Sequence, residues 1–175
     1  LAAQPAPTRL IPPPAAQALQ CWVILAPEHS PEAAGLTDQD YPYWTATRSA
    51  TQAATRADLP ADQVLVVVLH AGVRLKPHAL SQLVKGFMDC PHWQLAYTDS
   101  ERLDEAGQPI GAFFKPDWSP HLLAQPDYPG GLLAMRASAL PDASVQSAST
   151  ADWVGLAMAA ERAAVGHVAQ PLVQI

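Results

Sequence analysis

Seven consecutive residues, Gln63-Val64-Leu65-Val66-Val67-Val68-Leu69, constrain this chain more than any other feature. The run is β-branched and shows no apolar–polar alternation. A strand with one wet face alternates with period two; a strand buried on both faces reads as a continuous apolar run. Such a strand needs an apolar layer above it and another below. The chain then turns at His70-Ala71-Gly72 and opens a helix at Lys76-Pro77-His78. In that helix Ala79, Leu80, Leu83, Val84, Phe87 and Met88 are expected on one face. Gln94–Tyr97 resumes a strand. Strand, crossover helix and strand make a βαβ unit, so the expected class is α/β.

The flanking segments fit one domain. Leu1–Pro14 is rich in Pro and Ala without periodicity, and residues 1–18 read as a linker or lead-in to a single domain over 19–175. Cys21–Ala26 is a second buried strand, ended by Pro27. Glu28–Tyr43 holds turn formers, and Ser49–Ala57 tolerates a helix that Asp58-Leu59-Pro60 would stop. A turn is expected at Glu105-Ala106-Gly107, and a short helix with Ser119 as N-cap and Pro120 at its first position. Gly130-Gly131 suits a tight turn into a strand at Leu132–Arg136. Thr150 can cap a helix over Ala151–Ala164, with Trp153, Leu156, Ala157 and Ala160 on its apolar side and Gly166 as its stop. The tail, His167–Ile175, reads as an extended edge interrupted by Pro171.

Composition removes several classes. With 49% hydrophobic and 15% charged residues, the 175-residue chain is globular rather than disordered. A net charge of −6 with ten scattered Lys and Arg supplies no basic stripe, which argues against nucleic acid as a partner. No apolar run approaches the roughly 18–20 residues that span a bilayer. Cys21 and Cys90 are expected to be ordinary thiols. Nothing near Leu1 resembles a secretory leader, so a cytoplasmic location is expected, or the cytoplasmic face of the membrane through a parent protein.

Three blocks carry a resemblance. The first is Val66–Leu69 with Leu75-Lys76-Pro77-His78-Ala79-Leu80 after it. The second is Tyr97-Thr98-Asp99-Ser100-Glu101 with Asp104. The third is Phe114-Lys115-Pro116-Asp117-Trp118-Ser119-Pro120. Together they resemble the inverting family 2 glycosyltransferases, especially the bacterial branch that builds O-antigen and related surface glycans. The likeness runs from about Val64 to the C-terminus, and the third block is its most specific part. It implies a GT-A-like fold, a mostly parallel sheet flanked by helices, here truncated. It also implies a donor site at the carboxyl ends of the strands. A nucleotide-sugar donor, a glycan acceptor and further domains of a parent protein are the implied partners.

Chemistry of that kind neutralises a leaving diphosphate and takes a proton from an acceptor hydroxyl. The family uses Mg²⁺ or Mn²⁺ on an Asp-x-Asp pair for the first task and a carboxylate base for the second. Where the metal carboxylates belong, this chain has His70, Ala71, Gly72 and Val73, so no metal ligand and no cofactor is expected from it. Arg74, Lys76 or helix N-termini would have to serve the diphosphate. By resemblance the base is Asp152, in Ala151-Asp152-Trp153-Val154-Gly155; the alternative is a first-turn acid favoured by the helix dipole. The N-terminal half is short, with about fifty residues from Leu19 to Leu69.

The remaining candidates each have two readings. Asp99, Glu101 and Asp104 form either an acidic rim for a cation or sugar, or a solvated turn after a strand. Lys115, Asp117 and Trp118 either shape an acceptor pocket, Trp118 offering its flat face to a sugar ring, or brace the fold. His70 alone among the histidines stands at the expected active-site edge. His29, His78, His92, His121 and His167 lack metal-ligand spacing and read as surface or packing residues. Two functions follow: a glycosyltransferase domain, or a non-catalytic GT-A-like module that binds a protein or a glycan.

Overall fold

The computed structural model describes residues 18–48, 59–119, 131–140 and 164–175. Among them, strands β1 (Gln20–Leu25), β2 (Trp44–Thr47), β3 (Val64–Leu69), β4 (Arg74–Leu75), β5 (Leu95–Leu103), β6 (Pro109–Phe113), β7 (Leu132–Arg136) and β8 (Val165–Gln174) form one sheet. The helix α1 spans Ala79–Asp89. The strand order is β2-β1-β3-β7-β5-β8-β4, with β6 attached to β5.

The chain is α/β, with a mixed sheet rather than the mostly parallel one expected. β1 pairs in parallel with β2 and β3, and β5 with β8. β7 runs antiparallel to both β3 and β5, and separates the two strands of the expected βαβ unit. Since both neighbours oppose β7, β3 and β5 remain parallel to each other, and β5 runs on past the level at which β3 ends. One helix, α1, stands among the described residues, where the resemblance implied helices on both faces.

β3 explains its sequence. All six of its residues are buried. Leu65, Val67 and Leu69 join Leu80, Leu83, Val84 and Phe87 of α1 in one layer. Val64, Val66 and Val68 join Trp22, Ile24, Tyr97, Trp118 and Met135 in the other. Each layer removes several large side chains from water, at about 1.5–3 kcal/mol apiece. The N-terminus of α1 lacks a side-chain cap from His78. Gln39 substitutes from a distance: its Oε1 accepts the Leu80 N–H at 3.1 Å, and its Nε2 donates to the carbonyls of Gly35 and Lys76. At the other end, Arg136 donates to the carbonyls of Phe87, Trp93 and Asp62.

Several local expectations change. Met88 is 46% exposed, because eight residues past Leu80 it has rotated about 80° away from the apolar stripe. The sequence pattern gave no strand at Trp44–Thr47, a short half-buried strand that forms by parallel pairing to β1. Gly166 lies inside β8 and does not end a helix; an added Cβ would come within 2.2 Å of the Trp93 ring, so glycine permits that ring to lie on the strand. β4 covers the outer side of β8 only at Val173 and Gln174, so that end lies between two strands while the rest of β8 pairs with β5 alone among the described strands. Pro171 sits at an irregularity in the β5–β8 register, where a missing N–H breaks no ladder bond. The helix expected over Ala151–Ala164 falls almost wholly outside the described residues, as do Pro120 and Gly130.

The turn into β7 is tightly specified. Gly131 has φ +88°, and a Cβ there would meet Val73 Cγ2 at 2.5 Å. Gly131→Ala is therefore expected to destabilise the fold by about 1–3 kcal/mol, read as a lower urea midpoint at unchanged m-value.

Candidate functional site at the carboxyl end of the sheet

β5 continues past the expected Gln94–Tyr97 segment, so Asp99 and Glu101 belong to a strand and not to a solvated turn. Asp99 is 1% exposed. It lies opposite Pro171, where the register with β8 shifts on both sides of it. Bulges of this kind re-aim side chains and recur beside functional sites. Asp99 Oδ1 accepts the Lys115 backbone N–H at 2.8 Å and lies 2.9 Å from His167 Nε2. A carboxylate only accepts, so Nε2 carries the hydrogen of that bond. Asp99 Oδ2 is buried with no hydrogen-bond partner among the described residues, as is Trp118 Nε1.

His167 stacks on Tyr97 with ring centroids 4.6 Å apart and planes 9° from parallel. Its other nitrogen, Nδ1, stands 3.5 Å from Asp117 Oδ1, at the limit of hydrogen-bonding range. The Tyr97 hydroxyl donates to the Pro116 carbonyl at 2.8 Å, and Trp118 is buried with its ring 6.3 Å from that of Tyr97. The Tyr97–Asp104 and Phe114–Pro120 blocks, separate in sequence, thus dock on each other through Tyr97, Asp99, Lys115 and Pro116. Trp118 is packed into the core and presents no open face to a sugar, while Asp117 projects with its side chain 98% exposed.

Lys115 is buried, and its Nζ donates to the Thr98 carbonyl. Burial lowers its pKa to about 8, partly opposed by the charge of Asp99. The amine is therefore readily neutralised above neutral pH.

The other candidates occupy different positions. Glu101 lies 3.0 Å from Lys76 Nζ and accepts from Gln174 Nε2 at 3.0 Å, so it ties β5 to β8 and to the lead-in of α1. Partial burial alone would raise the Glu101 carboxyl; the hydrogen bonds from Gln174 and Lys76 and the Lys76 charge outweigh it and hold its pKa below the ordinary value. Asp104 closes the β5–β6 hairpin, its Oδ1 accepting the N–H groups of Ala106 and Gln108. Arg74 pairs with Asp38. His70 follows β3, half-buried, with its pKa lowered by that burial. The His70 backbone N–H donates to the Gly131 carbonyl. Asp152 lies outside the described residues.

No group of three or more His, Cys, Asp or Glu among the described residues is arranged to hold a metal ion. The residues at 70–73 do not offer the hard oxygen donors that Mg²⁺ or Mn²⁺ would take. Cys21 and Cys90 are free thiols, and burial raises the Cys21 pKa to about 12. No described helix is long and apolar enough to cross a membrane.

His167 is the residue that sequence patterning assigned to the surface or to packing and that the structure brings to Asp99. The parallel register of β5 with β8 pairs Tyr97 with His167, and that contact spans 68 residues to Asp99. No local spacing signals such a pairing.

Comparison with known proteins gives one relative of clear similarity. The chain is 35% identical over 103 residues, 56% of its own length, to a protein named O-antigen biosynthesis protein RfbC from Myxococcus xanthus. The match spans 8% of that relative's length. No family model matches the chain.

Two outcomes are expected from this geometry. Asp99→Ala leaves the Lys115 N–H and His167 Nε2–H without their acceptor and is expected to cost about 2–4 kcal/mol in urea unfolding. Stability should also vary with pH above 7. Between about 8 and the ordinary 10.5, Lys115 is neutral when folded and protonated when unfolded, so its contribution rises with pH. Cys21 acts oppositely above its ordinary 9.0, since the folded thiol keeps a proton that the unfolded one loses, and Tyr41, raised by burial, adds to this above 10.0. The urea midpoint should climb slightly from pH 8 to 9 and fall beyond 10, and Lys115→Met should abolish the climb.

Proposed function

We propose that this chain is a glycosyltransferase-like domain of glycan biosynthesis, with a GT-A-like sheet that receives a nucleotide-diphosphate sugar at the carboxyl ends of β3 and β5. The observation that carries this reading is the docking of the two motif blocks around Asp99. A buried carboxylate, held by the Lys115 N–H and facing His167, stands within β5 two residues past that strand's last pair with β7. Ligands of such sheets gather outside the carboxyl ends of the strands. The 35% relative, by its name a protein of O-antigen biosynthesis, supports the glycan assignment. Hexosyl transfer to a glycan acceptor, as part of a longer polypeptide acting at the cytoplasmic face of a membrane, is the form of that activity we favour.

A donor here would be held without a divalent cation, because His70, Ala71, Gly72 and Val73 stand where the carboxylates belong. Arg74 and Lys76 are already ion-paired, with Asp38 and Glu101. A diphosphate would compete for them, which predicts weak binding. These two features favour a second reading, a non-catalytic module that binds a glycan or a neighbouring domain. By resemblance, Asp152 is the base in the first reading.

Calorimetric titration with UDP, GDP and dTDP, each with and without Mn²⁺, separates the two. The enzyme reading expects one nucleotide to bind with a Kd of about 1 mM or tighter, changed less than about twofold by Mn²⁺. No heat from a chain that is folded by circular dichroism would sink it and leave the module.

A further inference from the structure

Arg48 belongs to none of the three motif blocks, yet it stands where three neighbouring parallel strands stop. Ile24 of β1 is level with Thr47, the last residue of β2, and with Val68 of β3; Leu25 and Leu69 end β1 and β3 level with each other. Arg48, Ala26 and His70 are the residues that follow these three ends. The Arg48 guanidinium reaches across the end of β1, where Nη1 donates to the Ala26 carbonyl and Nη2 to the His29 carbonyl at 3.1 Å. A guanidinium carries five N–H groups in a fixed fork, so these two bonds orient it and leave three donors over. Both acceptors are neutral and Arg48 is exposed, so its charge is not cancelled. Among the described residues no carboxylate is ion-paired with it, that of neighbouring Glu28 included. In the same turn His29 is buried, and its Nδ1 lacks a hydrogen-bond partner among the described residues.

We propose that Arg48 is the anion receptor of this domain, binding the diphosphate of the donor through its remaining N–H groups at the ends of β1 and β3. The inference rests on the donor-binding reading above and names the group that meets the phosphates. The residues at 70–73 offer no carboxylates for a divalent cation, so positive charge at this end must come from a side chain. The other described cations are committed or distant. Arg74, Lys76 and Lys85 are ion-paired, and Lys115 is buried beside Asp99. Arg102 lies over Phe113 in the β5–β6 hairpin, and Arg136 is level with Leu65, near the opposite end of β3. A planar fork matches phosphate oxygens two at a time. Because the two carbonyls hold the fork before any ligand arrives, little side-chain freedom is lost on binding.

The unaltered chain, Arg48→Gln and Arg102→Gln are titrated calorimetrically with UDP, GDP, dTDP and inorganic pyrophosphate, without added metal. Arg102→Gln removes the same charge from the hairpin. Arg48→Gln is expected to weaken binding about tenfold or more, and Arg102→Gln less than about twofold. Nucleotide binding unchanged in Arg48→Gln overturns the proposal and leaves the donor reading standing. Equal losses in the two variants overturn it as well, since overall charge then accounts for them. Pyrophosphate bound through Arg48, with no nucleotide bound, keeps the anion receptor and removes the donor reading. No binding of any of the four by the folded, unaltered chain overturns both. Where Arg48→Gln does not fold by circular dichroism, Arg48→Lys decides. An ammonium lacks the fork, so a loss of about fivefold is expected despite the retained charge, and unchanged binding overturns the proposal.

Discussion

The arrangement depends on β7 running against its neighbours. It lies between β3 and β5, hydrogen-bonded antiparallel to each, and so keeps those two strands pointing the same way. Pairing β7 parallel to one of them and antiparallel to the other would send one carboxyl end to the opposite end of the sheet. The turn that starts β7 is equally restrictive, because Gly131 adopts φ +88° against Val73 and accepts the His70 N–H. One strand and its entry turn thus set the common direction of β3 and β5 and the position of His70 at the end of β3.

Around Asp99 the energetics of a buried carboxylate account for what surrounds it. An acid that is 1% exposed is tolerated only with donors close at hand. The Lys115 N–H and His167 Nε2 supply them, and the ammonium of Lys115 adds a nearby positive charge at the cost of its own desolvation. The Lys-Pro-Asp-Trp segment therefore has structural work to do even apart from chemistry. Tyr97 and Trp118 seal the layer beneath it. Persistence of this motif in a chain without metal carboxylates is understandable on that ground, since loss of either block would strand a buried charge. The same construction orders His167, which is how a structural brace and a chemical site can share residues.

Glu101 and Asp104 separate from Asp99 for equally physical reasons. Along β5 the burial falls off, and Glu101 meets Lys76 and Gln174 at the sheet's rim while Asp104 is spent on hairpin amides. Three acidic residues that look alike within six positions thus have three different electrostatic settings. Only Asp99 combines burial, a register shift and an unpartnered oxygen.

The sequence by itself determined the parts whose information is local. An unbroken apolar run specified β3, helical spacing specified α1, and glycine with flanking apolar residues marked the entry to β7. The α/β class followed from their order. Long-range pairing was decided only in the tertiary structure. β2 forms because β1 offers it an edge, β4 forms by pairing with the last two residues of β8, and Gly166 serves Trp93 instead of a helix end. The docking of Tyr97 with Pro116 and the encounter of His167 with Asp99 belong to the same category. Periodicity reports which face of an element is dry, since that depends on a residue's own neighbours along the chain. It carries no record of which strand will lie alongside, because backbone hydrogen bonds are the same for every partner and the choice is made by packing over the whole sheet.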